Sequence, residues 1–436
     1  ATNAAYTPLA YGGMFGLNYF MVFNSLDPYI WLEGQSSYDI MNFGPTTAEV
    51  SSFWTVLYQG LMRTSDVLLN MEKLKSKIDS EKYNQHQGQL KALRGMYYFY
   101  LVTLFDKPIF YDESNIPTDP MDMRENGTQE QFWNKIEADL TFAAANLPAS
   151  WPTSETGRIT RGGANAMLGK ALLYKHYHFY LRNAQGNSAD AKDNLRKAAF
   201  EAVITSGDYH LIQPVVKDKE NIQAALLSNF AFIDIPIGSN TYKSENNNES
   251  VWEIQYNDDP GWNEYLPAYG NGGNRLYEHF SPLESSYKNQ IIDPKLWNQF
   301  ESVSSHPAGY TIDPRDYETF YSDGDLMDWR PESGYNKAFK GTINAKPNMF
   351  TGLDFSGLSG IINTTALGLK KYYYPQFTIK NSPKVAPINV RLIRYADVLL
   401  MYAEACYQVD GDADGSGLKA LNDVRDRVKM PLISAL

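Results

Sequence analysis

The sequence predicts a mostly α-helical protein of helix-turn-helix repeats with a large irregular, strand-containing insertion. Apolar residues recur at helical spacing from Thr46 to Gly207 and again near the C-terminus. Between these blocks glycine, proline, asparagine and aspartate replace the helical period, while Val251–Tyr256 and Tyr372–Ile379 alternate like strands. We therefore expect one domain over residues 1–436, built from N-terminal helical repeats (46–207), an irregular insertion (208–388) and a C-terminal helical hairpin (389–436).

Five segments of the N-terminal block each carry one apolar face. Pro108 stops the second of them, and Ser206-Gly207 ends the fifth with a glycine cap. The fourth helix begins after Thr160. In chain order the segments are Val50–Leu61, Leu90–Leu104, Phe132–Ala144, Ala164–Tyr180 and Ala191–Thr205.

The C-terminal stretch Val390–Pro431 reads as two helices joined by an acidic turn. Small residues such as Ala403 and Ala420 allow the two helices to pack closely, and Ser416 is the expected N-cap of the second. A hairpin of this kind is the unit of tetratricopeptide-type repeats, which bind partners and catalyse nothing. The apolar positions are Ile393, Ala396, Leu399, Leu400 and Ala403 in the first helix, and Leu418, Leu421 and Val424 in the second.

Composition narrows the classes of partner. The chain has a net charge of −11 and a pI near 5.1, which argues against nucleic acid and anionic lipid surfaces. No apolar run reaches the 18 residues or so of a membrane helix. The single cysteine, Cys406, excludes an internal disulfide and lies on an apolar helical face. The 31 tyrosines and 8 tryptophans suit a binding surface, because their rings pair an apolar face with a polar edge.

Signals for catalysis are weak. His176 and His178 are two residues apart on a predicted helix, so their side chains point away from each other. Gly270–Gly273 lacks the strand and helix that would surround a phosphate-binding loop, and neither a nucleophile elbow nor a zinc-protease motif occurs. We expect no enzyme activity, although a pair of glycosidase carboxylates is not excluded by sequence alone.

One acidic turn resembles a calcium loop. Asp410, Asp412 and Asp414 occupy the first, third and fifth positions of an EF-hand loop, but Leu421 stands where the bidentate acid belongs. Calcium is therefore the one cofactor that the sequence suggests. The alternative is a turn whose acids stabilise the positive end of the following helix.

Ligand contacts are expected from aromatic residues in irregular segments with polar neighbours. Aromatic rings stack on flat sugar faces, while amide, carboxylate and guanidinium groups hold hydroxyls. The alternative is that many of these rings only anchor their loops to the helices. The candidates are Trp31, Tyr38, Asp39, Trp262, Tyr265, Tyr269, Asn271, Arg275 and Trp329, with Tyr310 and Tyr321 in the same loop as Trp329.

Six segments together resemble the SusD/RagB family of surface nutrient-binding lipoproteins from Bacteroidetes-type bacteria. They follow one another in the order that the family has. The segments are LRGMYYFYLVTLFDKPI from Leu93, IEADLTFAAANLP from Ile136, GRITRGGANAMLGKALLYK from Gly157, AFEAVITSGDYHLI from Ala199, SVWEIQYND from Ser250 and RYADVLLMYAEA with ALNDVR from Arg394.

The resemblance implies a non-catalytic nutrient binder on the extracellular face of the outer membrane. It implies a lid over a SusC-type TonB-dependent transporter, an oligosaccharide ligand, and a ligand face formed by early loops and the loop after the strand. An oligopeptide ligand, a glycoside hydrolase and a pure assembly scaffold are the alternatives. The family continues beyond the last matched helix and carries a lipid-anchor cysteine, so we expect a trimmed chain without its anchor and with a truncated C-terminal hairpin.

Overall fold

The computed structural model confirms a mostly α-helical protein. Long helices dominate the described part of the chain, and its short strands pair two by two. The structure describes residues 2–32, 37–38, 41–119, 124–181, 193–232, 234–257, 273–276, 279, 290–292, 294–319, 342–343, 350–351, 371 and 386–436. The helices up to residue 204 are α1 (Thr2–Tyr6), α2 (Asn18–Ser25), α3 (Ala48–Met71), α4 (Ser80–Phe105), α5 (Gln129–Asn146), α6 (Arg161–His176) and α7 (Asp193–Ile204).

From α3 to α7 each helix packs against the next one along the chain, as helix-turn-helix repeats require. Helix α4 lies between α3 and α5, so its side chains are buried around almost the whole circumference. Gly60 of α3 allows the Tyr97 ring of α4 to come close, because a Cβ at this position would overlap the ring. Inside this packing Arg94 is fully buried and donates to both carboxylate oxygens of Asp139 on α5, at 2.7 and 2.9 Å. This bidentate ion pair fixes α4 against α5.

Side-chain caps explain where several helices begin. Asp79 accepts two first-turn amides of α4. Thr128 and Gln131 form a reciprocal capping box at α5, and Thr160 accepts the Gly163 amide of α6 at 3.1 Å. The fourth predicted helix reaches its expected end, because α6 is followed directly by a single π-helical turn, Tyr177–Leu181.

The strands form four antiparallel pairs among the described residues. They are β1 (Ile30–Leu32) with β5 (Gln290–Ile292), β2 (Ile235–Ile237) with β3 (Asn240–Tyr242), β4 (Ser250–Ile254) with β8 (Val390–Arg394), and β6 (Thr342–Ile343) with β7 (Phe350–Thr351). Strand β4 matches the prediction over Val251–Tyr256 to within two residues. The predicted strand Tyr372–Ile379 lies outside the described residues. Two short helices, α8 (Lys219–Leu227) and α9 (Arg315–Thr319), accompany the strands.

The C-terminal hairpin consists of α10 (Tyr395–Asp410) and α11 (Ser416–Arg427), which pack on each other and, through α10, on α7. Three details of the prediction were wrong. Ile393 belongs to β8 instead of the helix, and Leu400 is 38% exposed instead of facing the core. Ser416 does not cap α11, because the carboxylate of Asp412 accepts the first-turn amides of Gly417 and Leu418 at 2.7 and 2.8 Å.

Buried charges join β4 and β8 to this hairpin. Glu249, directly before β4, is fully buried and accepts two hydrogen bonds from Arg427 at the end of α11, both at 2.8 Å. The same carboxylate accepts the Ile212 amide at 3.0 Å. Four residues later, within β4, Glu253 lies 3.0 Å from the Nε of Arg391 on β8. Two ion pairs thus connect segments that are far apart in the sequence.

Replacing Arg427 with Met should lower the free energy of unfolding by about 3–5 kcal/mol, because Glu249 would stay buried without a compensating cation. The double variant Arg427→Met, Glu249→Gln should recover part of this loss. Urea unfolding measures both. Lys419→Met is the control, since its ion pair with Asp423 is exposed and should be worth under about 1 kcal/mol. Equal losses for Arg427→Met and Lys419→Met would contradict a structural role for the buried pair.

Glu245 should make stability depend on pH. Burial, with a contribution from the charge of Glu253, raises the pKa of Glu245 to about 8. The folded protein therefore holds this proton more tightly than the unfolded chain, so stability falls as pH rises from about 4.5 towards 8. Glu245→Gln cannot ionise, and its melting temperature should equal that of the wild type near pH 5 and exceed it near pH 8.5. Comparing the two proteins at each pH cancels the contribution of the other titrating groups. A difference in melting temperature that stays constant between pH 5 and pH 8.5 would contradict this prediction.

Candidate functional site

The early predicted ligand residues lie at the start of the molecule, but only part of them can be placed. Trp31 is in β1, where its backbone pairs with Ile291; its side chain and the whole of Asp39 lie outside the described residues. Tyr38 is only 4% exposed, and its hydroxyl donates to Glu49 at 2.7 Å. The expected exposed ring at Tyr38 is therefore not present, because the hydroxyl finds its partner at the first turn of α3 and the ring packs beside it.

The residues predicted after the strand fall mostly outside the described chain. Arg275 is described: it is partly exposed, and its amide donates to the carbonyl of Gly16 at 3.0 Å. In the predicted loop that also contains Tyr321 and Trp329, Tyr310 is buried. Its hydroxyl donates to the Lys219 carbonyl at 3.1 Å, so Tyr310 anchors this loop. Outside the described residues lie Trp262, Tyr265, Tyr269, Asn271, Tyr321 and Trp329.

The N-terminal segment, residues 2–25, holds both ends of the predicted ligand loop that follows β4. Tyr256, just after β4, donates its hydroxyl to the Ala10 carbonyl at 3.2 Å. At the other end of the loop, Asn274 exchanges two backbone hydrogen bonds of 2.8 Å with Ala386, and the next residue binds Gly16. Strand β1, which precedes the early predicted ligand residues Tyr38 and Asp39, is separated from the end of α2 by four residues. The structure thus attaches both ends of the post-strand loop to residues between Ala10 and Gly16.

The acidic turn does not gather its carboxylates into a metal site. Asp410 accepts the Ala413 amide at 3.2 Å, and Asp412 caps α11. Asp414 accepts the Ser416 amide at 2.9 Å and lies 3.2 Å from the Nζ of Lys197. In the part of the chain that the structure describes, no group of three or more His, Cys, Asp or Glu side chains could hold a metal ion. The geometry thus favours the helix-capping alternative, and calcium binding stays an untested prediction.

A groove that the sequence did not predict lies beside β4. It consists of two adjoining cavities of about 310 and 340 Å³, which share the turn Glu155–Arg158 and the residues Trp252 and Glu253. The first cavity extends to the N-terminal segment, and the second extends to Trp151, Tyr209 and Ser250. We call the whole the Trp151 groove. Its walls come from four separate stretches of chain, so only the fold brings them together.

Glycines shape the turn that stands in this groove. Gly157 has φ +92°, and a Cβ there would overlap the side chain of Gln255 on the strand side. Gly162, five residues later, leaves room for the Tyr209 ring. The glycines of GRITRGGA therefore indicate close packing at this turn. They do not indicate which side chains pack there.

Two family models cover most of the chain. One, described as "SusD family", matches residues 240–435, and another, described as "Starch-binding associating with outer membrane", matches residues 21–174. A SusD-like protein of Bacteroides ovatus is 23% identical in an alignment of 394 residues that covers 87% of this chain and 60% of that protein. The chain thus spans about 60% of the length of this relative.

Solved structures share the fold over the full chain. A crystal structure described as containing a xylogluco-oligosaccharide superimposes with a TM-score of 0.70 at 19% identity, covering 100% of this chain and 77% of that one. A structure described as a laminarin-binding SusD-like protein gives 0.68 at 21% identity, covering 100% and 84%. A SusD-like carbohydrate-binding protein of Bacteroides fragilis gives 0.66 at 20% identity, covering 96% and 74%.

Among the described residues, no helix is both long and apolar enough to cross a membrane. The two family models, which match residues 21–174 and 240–435, and the SusD-like relative lead to one assignment. The chain belongs to the SusD/RagB family.

Proposed function

We propose that this protein captures an oligosaccharide at the cell surface and acts as the lid of a SusC-type TonB-dependent transporter in the outer membrane. The family assignment carries this proposal. The model matching residues 21–174 is described as starch-binding and outer-membrane associated, and structural neighbours are described with a xylogluco-oligosaccharide or with laminarin. A neutral glycan is therefore the ligand class that the comparisons support.

The geometry of the loop roots supports the same proposal. A binding face gains affinity when its supports are rigid before the ligand arrives, because less ordering is then required. Tyr256 and Asn274 fix the two ends of the post-strand loop by hydrogen bonds of 2.8–3.2 Å, and Tyr256 also packs against the main hydrophobic core. Trp31, Trp262, Tyr265, Tyr269 and Arg275 remain the residues that we expect to contact the glycan.

The partner and the location follow from the proposed role. A lid must sit on the extracellular face of the outer membrane, so we propose attachment by a lipid anchor instead of a membrane helix. The acidic balance of the chain, −11, argues against direct adsorption to an anionic lipid surface. Co-purification of the anchored protein with its transporter, and loss of the complex on deleting that transporter, would test the partnership.

We propose that binding occurs without turnover. The fully buried carboxylates next to the groove are engaged in structure: Glu249 with Arg427, and Glu253 with Arg391. Ligand recovered unchanged after long incubation is the expected result, and release of shorter sugars would support a hydrolase instead.

Trp262→Ala should weaken glycan binding severalfold or more with little change in melting temperature. Stacking on one exposed ring is worth roughly 0.5–1.5 kcal/mol beyond its buried area. Calorimetry against maltoheptaose, laminarihexaose, a xyloglucan oligosaccharide and a peptide mixture measures this. The control is Tyr407→Ala, which removes a 57% exposed ring on α10, a helix that carries none of the predicted ligand residues. Unchanged affinity in Trp262→Ala would remove the post-strand loop from the site, and binding to peptides alone would replace the glycan with an oligopeptide.

A further inference from the structure

The Trp151 groove has the dimensions of a small-ligand site. Its two adjoining cavities, of about 310 and 340 Å³, lie at the lower end of the range of such sites, roughly 300–1,000 Å³. Strand β4 contributes Ser250–Gln255 to the walls, and the turn Glu155–Arg158 belongs to both cavities. Of the predicted ligand residues whose side chains the structure describes, neither Tyr38 nor Arg275 lines it.

Two aromatic walls of the groove are held in place before any ligand binds. The indole N–H of Trp151 donates to the Ile159 carbonyl at 2.8 Å, and the guanidinium of Arg158 lies 5.8 Å from the ring centroid. The hydroxyl of Tyr209 is hydrogen-bonded to Thr160 Oγ1 at 2.8 Å, and its ring packs on Gly162. Rings that are already ordered lose little conformational entropy when a sugar stacks on them.

One polar atom of the groove wall lacks a partner. The Oγ of Ser250 is buried and has no hydrogen-bond partner within the part of the chain that the structure describes. A buried hydroxyl without a partner costs free energy, and a ligand group that can donate or accept would remove this cost. The exposed side chains of Thr156, Asp208 and Asn246 add further hydrogen-bonding groups to the walls. Sugar hydroxyls both donate and accept, so they match such a mixed set.

The charges of the groove favour a neutral ligand. Among its described lining residues the one cation is Arg158, which donates to Gln89 at 2.8 Å and lies 3.5 Å from Glu155. Asp208 and Glu253 add negative charge, of which Glu253 is balanced by Arg391. Because Glu155 already offsets the charge of Arg158, a phosphate or a uronic acid would gain little from that cation and would be repelled by Asp208.

We infer that the Trp151 groove is a second saccharide-binding site, which takes a short neutral oligosaccharide between Trp151 and Tyr209 and hydrogen-bonds it through Ser250. The ligand class rests on the proposed function, while none of the described residues that line the groove was predicted to contact the ligand. A second site on the same molecule would hold a long glycan at two points, so that binding to both exceeds binding to either alone.

Hydrogen–deuterium exchange of the full chain separates the two sites. The probes are maltoheptaose, laminarihexaose and a xyloglucan oligosaccharide, each added to the wild type and to Trp262→Ala. We expect at least one of them to slow exchange over residues 149–160 and 205–212 in both proteins. Protection confined to residues 258–275 would overturn the second site and leave the proposed function intact. No protection anywhere by any probe would overturn both.

Ser250→Ala tests the role of the unpartnered hydroxyl with little risk to folding. Because the hydroxyl has no partner, its loss should leave the melting temperature unchanged or higher, while the probe concentration needed for protection at residues 149–160 should rise roughly three- to tenfold. Ser65→Ala is the matched control, since Ser65 Oγ on α3 is also buried without a hydrogen-bond partner among the described residues, and Ser65 does not line the groove. An equal response of Ser250→Ala and Ser65→Ala would contradict a contact between Ser250 and the sugar.

Discussion

The buried ion pair between Glu249 and Arg427 is the constraint on which the assembly of this fold depends. The two residues are 178 positions apart, and neither charge is accessible to water. The Glu249 carboxylate also accepts the Ile212 amide, while its backbone carbonyl accepts the amide of Tyr395, the first residue of α10, at 2.7 Å. A single residue thus holds both helices of the C-terminal hairpin and the chain that leads into α8. A buried charge tolerates little displacement of its partner, so this arrangement fixes geometry more than it adds stability.

Strand β4 carries that geometry to both candidate binding regions. It begins one residue after Glu249, pairs with β8 through Glu253 and Arg391, and leads into the predicted post-strand ligand loop. Its residues Ser250–Gln255 also line the Trp151 groove. The ends of the ligand loop are then attached to the N-terminal segment at Ala10 and Gly16. A short strand in the middle of a helical protein therefore sets the relative positions of the hairpin, the loop roots and the groove.

Local patterns predicted the helices well, because apolar period, caps and prolines act within one turn or two. Such signals predicted helices α3 to α7 and strand β4. Strand β8 did not, since its buried residues Val390 and Ile393 are three apart, a spacing that also suits a helix. The register shifts in the β4–β8 pair account for this spacing, and they arise from a partner more than 130 residues away.

The candidate site was less predictable for the same reason. The sequence predicts an exposed ring at Tyr38 in a polar loop. Only the fold shows that the Tyr38 hydroxyl donates a hydrogen bond to Glu49. The role of Asp412 as the cap of α11 was also not predicted, because it accepts the Gly417 amide from five residues away in a left-handed conformation, φ +59°. The Trp151 groove gave no local signal beyond two glycines, because Trp151, Tyr209 and Ser250 meet only after folding.

Native-state hydrogen exchange in low urea tests most directly whether these buried charges make one cooperative unit. If they do, amides of β4, β8, α10 and α11 should open with the same free energy and the same urea dependence as the central amides of α4. The opposite result would be a lower opening free energy and a weaker urea dependence for α10 and α11 alone. The hairpin would then be a separately unfolding appendage, and Glu249 would not be the residue that holds the fold together.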